Sequence, residues 1–305
     1  MEKFEVTILG CGSALPTRKL NQTSQVINFR EKLFMIDCGE GTQIQFRKAK
    51  LNFSKLKRIF ISHLHGDHCF GLLGLISTFG MLGRIADMDI HCPIGLEKLL
   101  RPSLDFFCNG LPFQVHFHEH DTKEYTKVYE DKSIEVFTIP LKHRIACAGF
   151  LFKEKEKQKH IVREQLDYYK VPISWIKRIK SGDDYVNEDG TVIENRLLTR
   201  PANPSRSYAY CSDTAYKESI VELIQGVNLL FHEATFTESD ALRAKKTKHS
   251  TATQAATIAL KADVKKLLIG HFSARYTGPC TMLDEAKRVF GNVIAAEELV
   301  TYPID

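Results

Sequence analysis

The sequence has no apolar run approaching the roughly 18 residues that span a bilayer as a helix. Its most apolar window, Phe70 to Gly83, is interrupted by Gly71, Gly74, Ser77, Thr78 and Gly80, and reads instead as a buried helix. The eight cysteines, at 11, 38, 69, 92, 108, 147, 211 and 280, form no Cys-x-x-Cys pair. Their scatter argues against a disulfide-stapled secreted scaffold and fits reduced thiols. An apolar signal segment is missing as well: Met1-Glu-Lys-Phe-Glu-Val carries charges in its place and leads into a strand-like run, so a cytoplasmic location is expected. An excess of one charge sign is nearly absent, with 42 basic and 37 acidic residues and a net +5. Between Lys153 and Lys180 there are nine Lys/Arg and four Asp/Glu, so this segment carries the whole excess. Extending it to Arg200 adds two basic and five acidic residues, and most of the excess disappears. What the chain does have is 305 residues, 43% of them hydrophobic, enough for one large α/β domain or two small ones.

Its densest chemistry follows an apolar strand, where Lys57-Arg-Ile-Phe-Ile-Ser62 runs into His63-Leu-His65-Gly-Asp67-His68. A strand ending at Ser62 and turning at Gly66 can set His63 and His65 on one side of a point and Asp67 and His68 on the other. That is ligand material for two cations, and imidazole with carboxylate and no thiolate pair suits zinc in an open site. By contrast, His116, His118 and His120 alternate along 113 to 120 and share one strand face. Without a carboxylate from elsewhere they read as structural. The His63–His68 run resembles the signature of the metallo-β-lactamase superfamily.

Residues 4 to 9 alternate like a half-buried strand, and 24 to 29 with 33 to 37 read as a hairpin about Arg30-Glu-Lys32. Cys38-Gly-Glu-Gly-Thr42 then precedes a helix through Lys48. Asp37 resembles the superfamily's second motif, an acid that buttresses the metal loop, with an ordinary strand-end turn as the other reading. Strand-like runs at Ser133–Pro140, Tyr208–Ser212 and Lys265–Gly270 deliver His143, Asp213 and His271 just past their ends. Loops at the carboxyl ends of strands are where open α/β sheets place their sites, so one sheet edge could collect all of these residues. On the superfamily pattern, His63, His65 and His143 hold one ion, Asp67, His68 and His271 another, and Asp213 bridges them. Two cations about 3.5 to 4 Å apart lower the pKa of a shared water and stabilise both oxygens of an in-line displacement, which favours a phosphodiester substrate.

The runs Leu9–Thr17, Phe231-His-Glu-Ala-Thr235, His249-Ser-Thr251 and Gly270–Tyr276, with His63–His68, resemble the ribonuclease Z family over nearly the whole chain. The resemblance implies an αββα sandwich of two mixed sheets between helices, two zinc or manganese ions, a precursor tRNA as substrate and a homodimer. It implies further that His249, assisted by Glu233, protonates the departing 3′ oxygen, that Asp67 helps activate the water, and that Arg275 faces phosphate. Without the resemblance, His249 would read as a residue beside the cap of a helix from Ala252 to Leu260.

Ribonuclease Z also carries an arm between the third metal histidine and the aspartate, which maps here to 153–200, within a single domain of 1–305. Lys153–Lys159 reads as a solvated ribbon, and Ile161, Leu166 and Tyr169 as a short helix stopped near Pro172. Trp175, the single tryptophan, precedes Lys177 and Arg178. The cations would neutralise phosphates, and the aromatic would pack on RNA or anchor its helix. Two departures from the family pattern stand out. A Gly-Pro-rich stretch is represented only by Val171-Pro-Ile-Ser174, and the usual Pro-x-Lys-x-Arg loop reads Pro201-Ala-Asn-Pro204-Ser-Arg206, without its lysine. Pro204 and Arg206 are nevertheless taken as substrate contacts. The readings that compete are a phosphodiesterase for small or cyclic nucleotides and an RNA-binding member without catalysis.

Overall fold

The hairpin between Ser24–Phe29 and Lys32–Ile36 sets the first sheet. Its loop is the two residues Arg30 and Glu31, with φ of 50° and 65°, the left-handed pair whose twist matches that of antiparallel strands. A computed structural model describes residues 2–305, and by backbone contacts they fall into two compact units.

The larger unit comprises residues up to Glu130, Val136–Phe152 and Arg206–Asp305, and it is built on two seven-stranded sheets. The first runs in the order Thr301–Pro303, Phe4–Gly10, Ser24–Phe29, Lys32–Ile36, Leu56–Phe60, Met88–Pro93, Val115–His120. Its last four strands are parallel, so Ile36 and Phe60 end at the same edge. The second runs Val293–Ala295, Lys266–Gly270, Leu229–Glu233, Ser207–Cys211, Ala148–Glu154, Ile134–Pro140, Lys127–Glu130. Its first four are also parallel, which aligns the ends of Cys211, Glu233 and Gly270.

Phenylalanines join the two sheets face to face. Phe60 meets Phe150 and Phe152 edge-on at 5.4 and 5.3 Å between ring centroids, and Phe34 meets Phe152 at 5.9 Å. Outside the first sheet lie the helices Thr42–Lys48, Gly71–Met81 and Leu96–Phe107, whose Phe46, Leu72, Leu75, Ile76 and Phe79 complete a core with Val26, Met35, Ile59 and Ile90. The helices Ala252–Lys261 and Cys280–Lys287 cover the second sheet. This is the αββα sandwich expected. The apolar window around 70–83 is buried on one face only. Leu72, Leu75 and Phe79 are enclosed, whereas Phe70 and Met81 are 72% and 79% exposed.

The smaller unit, Asp131–Glu135 with Lys153–Ser205, has its own core of Leu166, Ile179, Tyr185, Ile193 and Leu198. Trp175 packs into it edge-on against Tyr185 at 5.1 Å, an anchoring role. The Lys153–Lys159 ribbon is less solvated than the sequence suggests, because the strand Ala148–Glu154 continues into it. Glu154 is buried and accepts a bond from Lys157 at 2.7 Å. Among the described residues, no helix is long and apolar enough to cross a membrane.

Candidate metal centre and active site

Three of the parallel strands are followed by a residue that turns sharply out of the sheet. Asp37, Asp213 and His271 follow Ile36, Cys211–Ser212 and Gly270 with φ of 56°, 55° and 61°. Positive φ in a non-glycine residue costs free energy and is tolerated where the surroundings fix it, commonly at sites of function. The loop His63–Cys69 is seated by backbone: Cys38 donates to the His68 carbonyl at 2.7 Å and Gly71 to the Cys38 carbonyl at 2.9 Å. Only glycine fits at 71, since a Cβ there would lie 2.0 Å from the Gly39 carbonyl oxygen.

The outer nitrogen of four histidines is occupied, which fixes the tautomer and aims the inner one. Nδ1 of His68 donates to Asp37 at 2.7 Å, of His63 to the Ser62 hydroxyl at 3.0 Å, of His143 to the Lys248 carbonyl at 3.1 Å, and of His271 to the Thr235 hydroxyl at 2.8 Å. The free Nε2 atoms then converge. Those of His63 and His143 lie 3.0 and 3.1 Å from Nδ1 of His65, and Asp213 Oδ2 lies 3.6 and 3.7 Å from the same two. A few ångströms away, Asp213 Oδ1 lies 3.1 Å from Nε2 of both His68 and His271, and Asp67 Oδ2 is 3.3 and 3.7 Å from them. The two sets, His63–His65–His143–Asp213 and Asp67–His68–Asp213–His271, each gather within 4.8 Å.

These atoms suit cations better than one another. Asp67 Oδ2, His68 Nε2 and His271 Nε2 are buried without a hydrogen-bond partner, a costly condition in a dry interior. Burial pushes the His63, His65 and His143 imidazoles below their usual range, towards the neutral ligand form. Burial alone would raise the Asp67 and Asp213 carboxyls, yet the imidazoles around them hold both well below the usual carboxylate range. For His68 burial is likewise outweighed, by Asp213, Asp37 and Asp67, and its pKa is raised.

Beside the second set, Glu233 is buried and saturated with donors. Its Oε1 accepts from His249 Nδ1 at 2.9 Å and the Thr214 amide at 2.6 Å, its Oε2 from the Thr235 hydroxyl at 2.5 Å and the Ser250 amide at 3.1 Å. Both oxygens are thus occupied, one of them by His249, and the ligand atoms of Glu233, His249 and His271 also gather within 4.8 Å of one another. Burial opposes a charge on His249, but the adjacent Glu233 carboxylate raises its pKa to about 9. Thr251 caps the helix Ala252–Lys261 in a reciprocal capping box with Gln254, so His249 sits two residues before a fixed capping residue. Its ring stacks on His271, with centroids 5.4 Å apart.

Sequence comparison accords with this arrangement. Ribonuclease Z of Bacteroides thetaiotaomicron is 61% identical over 298 residues, covering 98% of this chain and 94% of that protein. The ribonuclease Z of Porphyromonas gingivalis W83 is 53% identical over 98% of both. The chain belongs to the ribonuclease Z family. The crystal structure of human tRNase Z, short form, superposes with a TM-score of 0.71 at 25% identity over 99% of each chain. A long-form RNase Z from yeast has the same fold, with a TM-score of 0.71 at 18% identity over 99% of this chain and 42% of that one. A family model described as Anti-Pycsar protein Apyc1 matches residues 4–157, the part bearing His63–His68 and His143 but not Asp213, Glu233, His249 or His271.

For a ribonuclease Z, the expected substrate contacts divide. Arg275 is exposed, with Nη1 3.9 Å from Asp240. Lys177 and Arg178 are exposed in the smaller unit, where Arg178 stacks over Trp175 at 4.3 Å and pairs with Asp183. Pro204 is exposed and its carbonyl accepts from Lys157 at 3.3 Å. Arg206 departs from expectation: it is 8% exposed, and its guanidinium donates to the carbonyls of Ile304 and Glu2 and lies over Phe4. It ties the chain ends together and is no phosphate contact. The strand histidines face carboxylates, His118 donating to Asp89 at 2.9 Å and His116 lying 3.5 Å from Asp87. Sequence reasoning missed Thr235, which links His271 to Glu233, and Tyr210, which donates to Asp37 at 2.7 Å. Thr235 lies within the Phe231–Thr235 run and was within reach, whereas nothing in the sequence marks Tyr210.

Proposed function

We propose that the chain is a metal-dependent endoribonuclease that removes 3′ trailers from precursor tRNAs and leaves a 3′-hydroxyl on the tRNA. The observation that carries this reading is the Glu233–His249 hydrogen bond at 2.9 Å set against the two ligand clusters, in a chain whose full-length relatives are ribonuclease Z. An imidazole and carboxylate donor set fits two zinc ions, with manganese an alternative. His63, His65 and His143 would hold one, Asp67, His68 and His271 the other, and Asp213 both. Such a pair supplies charge neutralisation on the phosphate oxygens and lowers the pKa of water.

The chain's own groups handle the protons. Asp67 accepts the proton of the attacking water as the new oxygen–phosphorus bond forms. His249 gives the proton on Nε2 to the 3′ oxygen as the old bond breaks, since Nδ1 is engaged with Glu233. A ribose oxygen is a poor leaving group without that proton. Lys177 and Arg178 would neutralise phosphates of the tRNA. Homodimeric assembly belongs to the same reading, and sedimentation should then give twice the 34.7 kDa chain mass.

The test is purified protein with metal and a precursor tRNA of defined trailer, with product ends mapped. Cleavage leaving a 3′-hydroxyl is expected, lost on chelation and restored by zinc or manganese. Asp67→Ala and His249→Ala should each lower kcat by at least about 10²-fold without unfolding the protein. Full activity of either variant would overturn the assigned role.

A further inference from the structure

The helix Ala241–Thr247 ends in a cap of the kind that usually carries glycine. The amides of Lys248 and His249 both donate to the Ala244 carbonyl, the second at 2.9 Å, and Lys248 is left-handed, with φ of 63° and ψ of 43°. Such a cap demands that conformation of the residue after the helix. A residue with a Cβ adopts it at a cost that glycine avoids, so ending the helix gives no reason for a lysine. The turn aims the Lys248 carbonyl at the metal centre, where it accepts from Nδ1 of His143 at 3.1 Å. Nε2 of that same ring faces His65 and Asp213. Across the same peptide bond stands His249, its ring centroid 5.1 Å from that of His143.

Beyond His249 the segment is tied down independently. The Ser250 amide donates to Glu233 at 3.1 Å, the Ser250 hydroxyl donates to the carbonyl of Thr214 at 2.6 Å, and Thr251 caps the next helix. Before His249, the tie to the metal centre is the Lys248 carbonyl on His143. A peptide plane that carries both a metal ligand's acceptor and the acid's backbone cannot rotate without moving the two together. We propose that Lys248 is a positioning residue whose left-handed backbone couples occupancy of the His63–His65–His143–Asp213 set to the placement of His249. With that set occupied, the His143 ring is fixed, its Nδ1 fixes the Lys248 carbonyl, and the carbonyl fixes the peptide from which His249 projects. The proposal rests on the endoribonuclease reading above for the role of His249, and adds that an unloaded enzyme has its acid out of place.

Lys248→Val and Lys248→Asn both remove the charge, but a β-branched side chain opposes the left-handed backbone whereas asparagine tolerates it. The two variants are compared in zinc affinity by chelator competition, in melting temperature, and in kcat and KM on a precursor tRNA. Zinc affinity and kcat should each be about tenfold lower in Lys248→Val than in Lys248→Asn, the scale of that backbone preference, with KM the same in both. Hydrogen exchange gives a readout that needs no change at Lys248. Zinc should slow exchange of the amides of 248–251, which lie outside both ligand sets. His143→Ala should abolish that slowing, although Asp67, His68, Asp213 and His271 remain to hold an ion. If Lys248→Val lowers the melting temperature yet matches Lys248→Asn in zinc affinity and kcat, Lys248 is a helix cap only and the proposal is overturned. Exchange at 248–251 that ignores zinc would overturn it too, even where Lys248→Val fails to fold. Failure of the unsubstituted enzyme to cleave the precursor, with the zinc and exchange results as expected, would count instead against the endoribonuclease reading.

Discussion

The Asp37 carboxylate accepts from the Ser62 amide and hydroxyl, from His68 and from Tyr210, at 2.7 to 2.8 Å, and all four residues are buried. Removing it strands donors that have no water to turn to. Asp37→Ala is therefore expected to lower stability by about 3 kcal/mol and to weaken metal binding about 10–100-fold by freeing the His68 ring. Thermal unfolding and a competition titration with a chelator read the two effects. Asp37 could be singled out in the sequence because it closes an apolar run and precedes Cys38-Gly-Glu-Gly41. Tyr210 could not, since its partner lies 173 residues away and nothing local distinguishes it from any strand tyrosine. Arg206 was misread for the opposite reason. Its likeness to the family's Pro-x-Lys-x-Arg loop suggests a substrate contact, but the buried strand Ser207–Cys211 begins at the next residue and draws the arginine inside.

The elements were more legible than the contacts. Strands announced themselves by apolar runs, and His63, His143, Asp213 and His271 became visible because all four lie just past such runs, where any one of them alone would have meant little. The helix after His249 was visible too, and its cap has a consequence for the acid. The Thr251 hydroxyl accepts from the Gln254 amide at 3.2 Å, and Gln254 Oε1 accepts from the Thr251 amide at 3.1 Å. Thr251→Ala should cost about 1 kcal/mol of stability. It should also reduce kcat more than KM, because His249 would lose its fixed distance from the helix start; calorimetry and steady-state kinetics measure both. The smaller unit was harder to delimit. Charge marked its start at Lys153, but the small core through Leu198 and the segment Asp131–Glu135 that belongs to the unit from before the insertion leave no local signal in composition.

Across the whole molecule, the basic run Lys153–Lys180 stands apart in the chain from the candidate metal and acid residues. The metal and acid residues lie in the larger unit, while Lys177 and Arg178 lie in the smaller one. If the basic segment contributes through phosphate contacts, the double variant Lys177→Ala/Arg178→Ala should weaken precursor tRNA binding. The slope of log affinity against log salt should then fall by about two, while bound metal is unchanged. An unaltered slope would remove these residues from the interface. The left-handed turns at Asp37, Asp213 and His271 carry a different implication, about how such a site survives. Elsewhere in a chain glycine is the less stable choice than alanine, but at Asp213, with φ of 55°, the order should invert. Asp213→Gly should be more stable than Asp213→Ala by about 1 kcal/mol, measurable by denaturant titration. Under selection for heat resistance alone, these corners would drift to glycine before any core residue changed. Two acids and a histidine at these corners suit a ligand site, whereas the turns alone would be served better by glycine.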